Sequence, residues 1–306
     1  MVPAGALTAK IAVVNPPAAV IAAVTTATSV RPTSWRHVVA GHTHAEKWLV
    51  ELPDDRSAFV KAGTQASARA QIEREASILE SVAAPYMPAL YGAASVDEWS
   101  VLVLEDLSRA GWPPPYPDRG AALLETVMQV AATAPPAGLH RRPEGRPLGT
   151  YWQRIAADPG PVLAHGLFSA AWLEEAQPVL DAAESAARLA GDDFLHDDVW
   201  ASNVCYTERG AILIDWASAS IGDRRIDLAY ALLSIRSSDT TPPPIDFPEE
   251  AAYAALLAGA NAYQAAQPTD DSIQYRSVLR AGWLHDLRYA LDWVSELLRL
   301  PPPRRR

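Results

Sequence analysis

The sequence predicts an α+β chain in which a small antiparallel sheet precedes a larger, mainly helical region. Short runs of alternating apolar and polar residues crowd the first third, and Ala- and Leu-rich stretches of helical period fill most of the rest. The change from one pattern to the other falls near Asp106, which divides the chain into two lobes, 1–105 and 106–306.

Residues 1–34 are a leading segment whose brief apolar run, Ala18 to Val24, is broken upstream by Pro16 and Pro17. Trp35 to Val39, Lys47 to Leu52 and Ser57 to Lys61 then alternate in polarity. The turn-forming stretches Ala40–His44 and Pro53–Arg56 separate them, which predicts a three-stranded antiparallel meander. From Ser67 to Val82 the period becomes helical, with Ile72, Ala76, Leu79 and Val82 on one stripe. Two more strands follow, over 89–95 and 99–104. Beyond Asp106, Gly111 to Pro117 reads as a rigid extended connector. Helices are expected over 120–133, 170–190, 249–267 and 272–299. Between them Val204–Tyr206 and Ala211–Ile214 form a hairpin around the turn Thr207–Gly210.

The chain has 306 residues, 49% of them apolar and 20% charged, as a globular protein with a buried core should. A net charge of -10 disfavours a general nucleic-acid binder, which needs a basic face. No apolar stretch approaches the roughly 18 residues that span a bilayer, so no membrane partner is expected. One cysteine, Cys205, excludes an intramolecular disulfide and a cysteine metal cluster, and a cytoplasmic location follows as the expectation. Of 26 basic residues 23 are Arg; only Lys10, Lys47 and Lys61 are lysines.

The densest chemical side chains flank the hairpin. His196, Asp197, Asp198 and Asn203 stand before it, and Asp215 follows it. A hairpin returns the chain to its starting edge, so Asp198, Asn203 and Asp215 can converge there. An amide oxygen with carboxylates is hard-oxygen ligation, suited to Mg²⁺ held together with substrate phosphates, and a spare carboxylate beside it can accept a proton from an attacking hydroxyl. Taken singly, each of these residues also fits an ordinary turn or cap.

The pattern His196-x-Asp198-x4-Asn203, followed by Ile214-Asp215-Trp216, resembles the catalytic signature of the aminoglycoside phosphotransferase and choline kinase-like family. The resemblance runs from about Arg36 to about Ser234. It implies a protein-kinase-like two-lobed fold, with a small antiparallel N-terminal sheet lobe and a mainly helical C-terminal lobe. It also implies transfer of the γ-phosphate of ATP or GTP to a hydroxyl of a small molecule, with Mg²⁺. In that frame Asp198 is the base, His196 braces its loop, and Asn203 and Asp215 hold the metal. Asp197 departs from the pattern, since the family often has Gly there. Asp227 would stabilise the loop through backbone hydrogen bonds.

By the same resemblance Lys61 matches the strand lysine on the nucleotide phosphates, although a strand lysine can also snorkel to the surface. Its helical partner should be Glu75, because Glu73 lies roughly opposite on a helix of 3.6 residues per turn and Glu75 neighbours Ala76 and Leu79 on the inner stripe. Gly41, in a turn poorer in glycine than the family's, falls where a loop covers the phosphates. Glu105 and Leu107 fall where the backbone binds adenine. There is no Gly-x4-Gly-Lys-Ser/Thr, Gly-x-Ser-x-Gly or His-Glu-x-x-His segment, so P-loop, serine-hydrolase and zinc-protease readings lack their motifs.

Acidic residues exceed basic ones by 26 to 15 between Asp106 and Leu300, against 10 to 8 before it. An acidic lobe concentrates cations, which suits an aminoglycoside, another antibiotic, an amino sugar or an amino alcohol as acceptor. On the last helix Asp286, Tyr289, Trp293 and Glu296 share one face and are the expected substrate contacts, while Trp283, Leu287, Ala290, Leu291, Val294 and Leu298 form its core stripe. The competing expectation is a kinase-fold nucleotide-binding protein that transfers nothing, suggested by Asp197 and the glycine-poor turn.

Overall fold

The computed structural model describes residues 16–38, 45–53, 55–112, 119–145, 148–268 and 276–303. In chain order its first elements are α1 (Ala18–Thr28), β1 (Ser34–His37), β2 (Glu46–Glu51), β3 (Ser57–Gly63), α2 (Ala66–Val82), β4 (Leu90–Val96) and β5 (Trp99–Glu105). Then come α3 (Gly120–Ala132), β6 (His140–Arg141), α4 (Tyr151–Ala157), α5 (Gly160–Leu163), α6 (Ala170–Ala186) and β7 (Asp193–Leu195). The chain continues with β8 (Val204–Thr207), β9 (Gly210–Leu213), β10 (Ser220–Gly222), α7 (Arg225–Arg236), α8 (Glu250–Ala266) and α9 (Arg276–Leu298). Among the described residues no helix is long and apolar enough to cross a membrane.

Two compact units emerge, one within residues 1–115, 136–138 and 201–219, the other within 116–135, 139–200 and 220–306. This differs from the division at 105/106 expected from the sequence, because the β8–β9 hairpin groups with the sheet. The reason is local bonding: Leu213 N–H donates to Tyr86 O at 2.9 Å, and Arg74 Nη2 to Ala219 O at 2.8 Å.

In the first unit the strands form one antiparallel sheet in the order β1-β2-β3-β5-β4. Alternation gives it two buried faces. Trp48, Val50, Ala58, Val60, Ala62, Val101 and Val103 pack on one face with Val20, Ala23 and Val24 of α1. The leading segment therefore holds a helix that closes the sheet, where the sequence reading saw only a short apolar run. Where α1 crosses β4 the strand carries Gly92; a Cβ there would come within 2.8 Å of the Ala27 methyl. α2 covers part of the other face through Ala68, Ile72, Ala76 and Leu79, and it turns Glu75 inward.

The second unit is mainly helical, with a small sheet in the order β6-β10-β7. Its core includes Leu123, Val127, Trp152, Leu180, Phe194, Leu232, Tyr253 and Leu291. Alanines 252, 254, 255, 258, 262 and 265 of α8 are buried, and their small side chains let neighbouring helices approach closely. Thr150 caps α4 with a capping box to Gln153. The buried carboxylate of Glu184 accepts from the Tyr151 and Trp152 N–H groups at the same helix start, at 2.9 and 3.2 Å.

Candidate active site

In the first unit Lys61, on β3, donates to Glu75 Oε2 at 2.7 Å and Oε1 at 2.9 Å, and to Asp215 Oδ1 at 3.2 Å. The Lys61 and Glu75 side chains are 9% and 2% exposed, whereas that of Asp215 is 41% exposed. Burial opposes the Lys61 charge, but the two carboxylates outweigh it and hold the ammonium above its ordinary value. Helix phase decides which glutamate does this. Glu73 is exposed and accepts from the Ser100 hydroxyl at 2.5 Å.

The hairpin sets Asp215 in place. β8 and β9 pair from Val204↔Leu213 to Thr207↔Gly210, and Ile214 N–H donates to Asn203 O at 2.9 Å, so Asn203 and Asp215 flank the open end of the ladder. Asp215 has φ 66° and ψ 60°, a left-handed turn that aspartate tolerates better than most residues. Asn203 is 8% exposed. Cys205, in β8, is fully buried and its thiol is pushed up to about 12, which makes it a core residue.

In the second unit β7 leads into His196, Asp197 and Asp198. Asp227, on the first turn of α7, accepts from His196 N–H at 2.6 Å and Asp197 N–H at 2.9 Å, as the sequence reading expected of it. His196 is fully buried and Asp198 half-buried. Asp197 has φ 67°, a conformation that favours glycine. Its carboxylate accepts from Arg142 through both guanidinium nitrogens, Nε at 3.0 Å and Nη2, and from Ser220 Oγ at 2.8 Å. Asp197 is thus charge-balanced inside its own unit. Burial, reinforced by the Asp197 charge, pushes Asp227 up to about 7 against its two N–H bonds and Arg142.

Other expected residues have further partners. Gly41 lies outside the described residues. Glu105 spends its side chain on Arg209, at 2.6 and 2.7 Å, and on the Ala89 N–H at 3.0 Å. The Leu107 carbonyl accepts from Ala110 N–H and the Trp112 indole. On α9, Trp293 is 1% exposed and its indole donates to Glu250 at 2.8 Å. This corrects its placement on an open polar face. α9 buries Leu287, Ala290, Leu291, Trp293 and Val294, a wider band than the expected stripe, in which Trp283 is only half-buried. Tyr289, Trp293 and Glu296 nevertheless line a cavity of about 220 Å³ with Asp239, Asp292 and Arg236. Asp286 is not among its lining residues; it accepts from Ser237, and burial pushes it up to about 6.

Lys47, Arg142 and Ser220 were missed as participants in these clusters. Arg142 and Ser220 lie 55 and 23 residues from Asp197, beyond any local pattern. Lys47 could have been found from the meander itself, since the β2–β3 register sets it opposite Lys61.

Among the described residues no group of three or more His, Cys, Asp or Glu is arranged to hold a metal alone. A carboxylate and an amide at a partly open hairpin end instead fit a divalent ion that takes its other oxygens from phosphates and water. Truncating Glu75 tests the buried pair. Glu75→Ala leaves the Lys61 ammonium with Asp215 alone and is expected to cost about 3–5 kcal/mol, read from urea unfolding.

A solved structure of the aminoglycoside phosphotransferase APH(4)-Ia, in ternary complex with ADP and hygromycin B, is similar over 94% of this chain and 100% of that one, with a TM-score of 0.53 and 13% identity. A choline/ethanolamine kinase family protein from Mesorhizobium loti matches over 87% of this chain and 91% of that one, with a TM-score of 0.51 and 14% identity. These likenesses define the class as a protein-kinase-like fold. No curated protein matches the chain. Residues 36–269 match the model of the phosphotransferase enzyme family, and the chain belongs to that family. It is a small-molecule phosphotransferase with an alcohol group as acceptor.

Proposed function

We propose that the protein transfers the γ-phosphoryl group of ATP to a hydroxyl of a cationic small molecule, such as an aminoglycoside antibiotic, an amino sugar or an amino alcohol. The observation that carries the donor half is the buried Lys61–Glu75–Asp215 arrangement, in which a carboxylate on a neighbouring helix fixes an ammonium beside a second, more open carboxylate. In this reading Lys61 binds the α- and β-phosphates, the backbone at Glu105 and Leu107 meets adenine, and the segment containing Gly41 covers the phosphates. Asn203 and Asp215 hold Mg²⁺, which neutralises phosphate charge.

Asp198 orients the acceptor hydroxyl and takes its proton as the oxygen attacks. The new O–P bond forms while the bond from γ-phosphorus to the β-bridging oxygen breaks, and ADP leaves. His196 and Asp227 brace the loop. Positioning and charge neutralisation supply most of the rate. Asp239, Asp292 and Glu296 around the α9 cavity favour a cationic acceptor, with Tyr289 and Trp293 as its neighbours. One buried thiol and a nucleoside triphosphate donor suit action in the cytoplasm.

The test is ADP formation by purified protein with ATP or GTP, Mg²⁺ and a panel of aminoglycosides, amino sugars and amino alcohols. Acceptor-dependent turnover that EDTA stops and Asp198→Ala abolishes is the expected result. Nucleotide binding without turnover on any acceptor would instead support an inactive, nucleotide-binding member of the family. Failure to bind nucleotide would overturn both.

A further inference from the structure

At φ 67° Asp197 occupies a backbone region that glycine enters freely and that a residue with a Cβ enters at a cost. Its side chain makes the contacts that offset this cost. Arg142, directly after β6, donates to the Asp197 carboxylate through Nε at 3.0 Å and through Nη2, and Ser220 Oγ on β10 donates at 2.8 Å. The two guanidinium bonds make a planar fork, a strong and directional way to hold a carboxylate.

The surroundings hold the fork in place. Arg142 N–H donates to Ile221 O at 2.8 Å, which ties the arginine backbone to β10. Its stem passes over Gly222, where a Cβ would come within 3.1 Å of Arg142 Cγ. The Asp197 side chain is only 9% exposed. Burial opposes the Arg142 charge, but the Asp197 carboxylate outweighs it and holds the guanidinium above its ordinary value.

Asp197 is one peptide bond from Asp198. Its N–H donates to Asp227 on α7, so groups from α7, β10 and the end of β6 all grip this one residue. On the other side, the Asp198 carbonyl accepts from Trp200 N–H at 2.9 Å. The backbone is thus tied on both sides of the Asp198 side chain.

We infer, on the reading of Asp198 as the base, that Arg142 is a positioning residue for phosphoryl transfer, which sets Asp198 by clamping the Asp197 carboxylate. The clamp gives Asp197 a task other than metal binding.

The test compares the parent with Arg142→Met, Arg142→Lys, Asp197→Gly and the double variant Asp197→Gly/Arg142→Met. Each is assayed for kcat and KM with ATP, Mg²⁺ and the acceptor of the panel above that the parent turns over fastest, with rates counted per ADP-binding site. Arg142→Met is expected to lower kcat about 10- to 100-fold, as a misplacement of about 1 Å can, with the KM for ATP within about twofold. Arg142→Lys keeps the charge but not the fork, and should recover part of the loss. In the Asp197→Gly background the same Arg142→Met change should cost less than about threefold, because no carboxylate is left to clamp.

An unchanged kcat in Arg142→Met overturns the proposal. So does an undiminished loss in the Asp197→Gly background, which would put the guanidinium on substrate instead. A loss that vanishes when rates are counted per ADP-binding site also overturns it, since that marks a role in folding alone. If the Met variant does not fold, Arg142→Gln gives the same comparison. A parent that turns over no acceptor removes the reading of Asp198 and this inference with it. Turnover that Asp198→Ala abolishes and Arg142→Met leaves intact removes this inference alone.

Discussion

Asp198→Asn is expected to lower the rate of phosphoryl transfer by about 10²- to 10⁴-fold, the usual contribution of a positioned general base. Nucleotide affinity should stay within about twofold of the parent, because in the proposed reading Asp198 meets the acceptor and the donor is held by other residues. Single-turnover kinetics with a saturating acceptor would show the loss in kcat with little change in the KM for ATP. A large rise in the nucleotide KM instead would move Asp198 from the acceptor to the donor.

Asp227→Ala is expected to cost about 2–6 kcal/mol in urea unfolding. Asp227 is 2% exposed, and both its oxygens accept backbone N–H groups, from His196 and Asp197. Each buried N–H left without an acceptor costs about 1–3 kcal/mol. Asp227→Asn keeps one acceptor oxygen and should lose about half as much. The pH dependence has a definite sign. The folded carboxyl is pushed up to about 7 from an ordinary 3.8, so the native chain binds more protons than the unfolded one between those values. Its contribution to stability is present below about pH 4 and is lost as pH rises through about 7. The Asn variant should flatten that limb of the stability curve.

The sequence held the sheet lobe in readable form because its strands alternate and its turns carry Gly, Pro and Asp. It also held the choice of Glu75 over Glu73, which needs only helix phase. Four helices, α1, α4, α5 and α7, were not expected from the sequence, and the two longest of them were illegible for opposite reasons. In α1, alanines and threonines stand on both sides, so the face bearing Val20, Ala23 and Val24 has little contrast. In α7 nearly every residue from Ile226 to Ile235 is buried, so no polar stripe exists to mark the period.

The consequences of Asp197 were hidden differently. A second carboxylate beside the expected base looked like interference with the metal. Its neutralising partner, Arg142, stands on the far side of three helices in the chain and meets it only through the β6-β10-β7 sheet. The depth of Trp293 was hidden because its neighbours on the helix face are polar, whereas Glu250 on α8 takes up its N–H and lets the indole lie buried.

The helix before the first strand bears on how the chain can be shortened. A fragment beginning at residue 34 would keep Lys61, Glu75, Asp198, Asn203 and Asp215. It would also present Trp48, Val50, Val60 and Val103 to water as a continuous greasy plate. Such a fragment is expected to self-associate, which light scattering against the full chain would show. α1 is therefore the cover of that apolar face, and a shortened chain should include it.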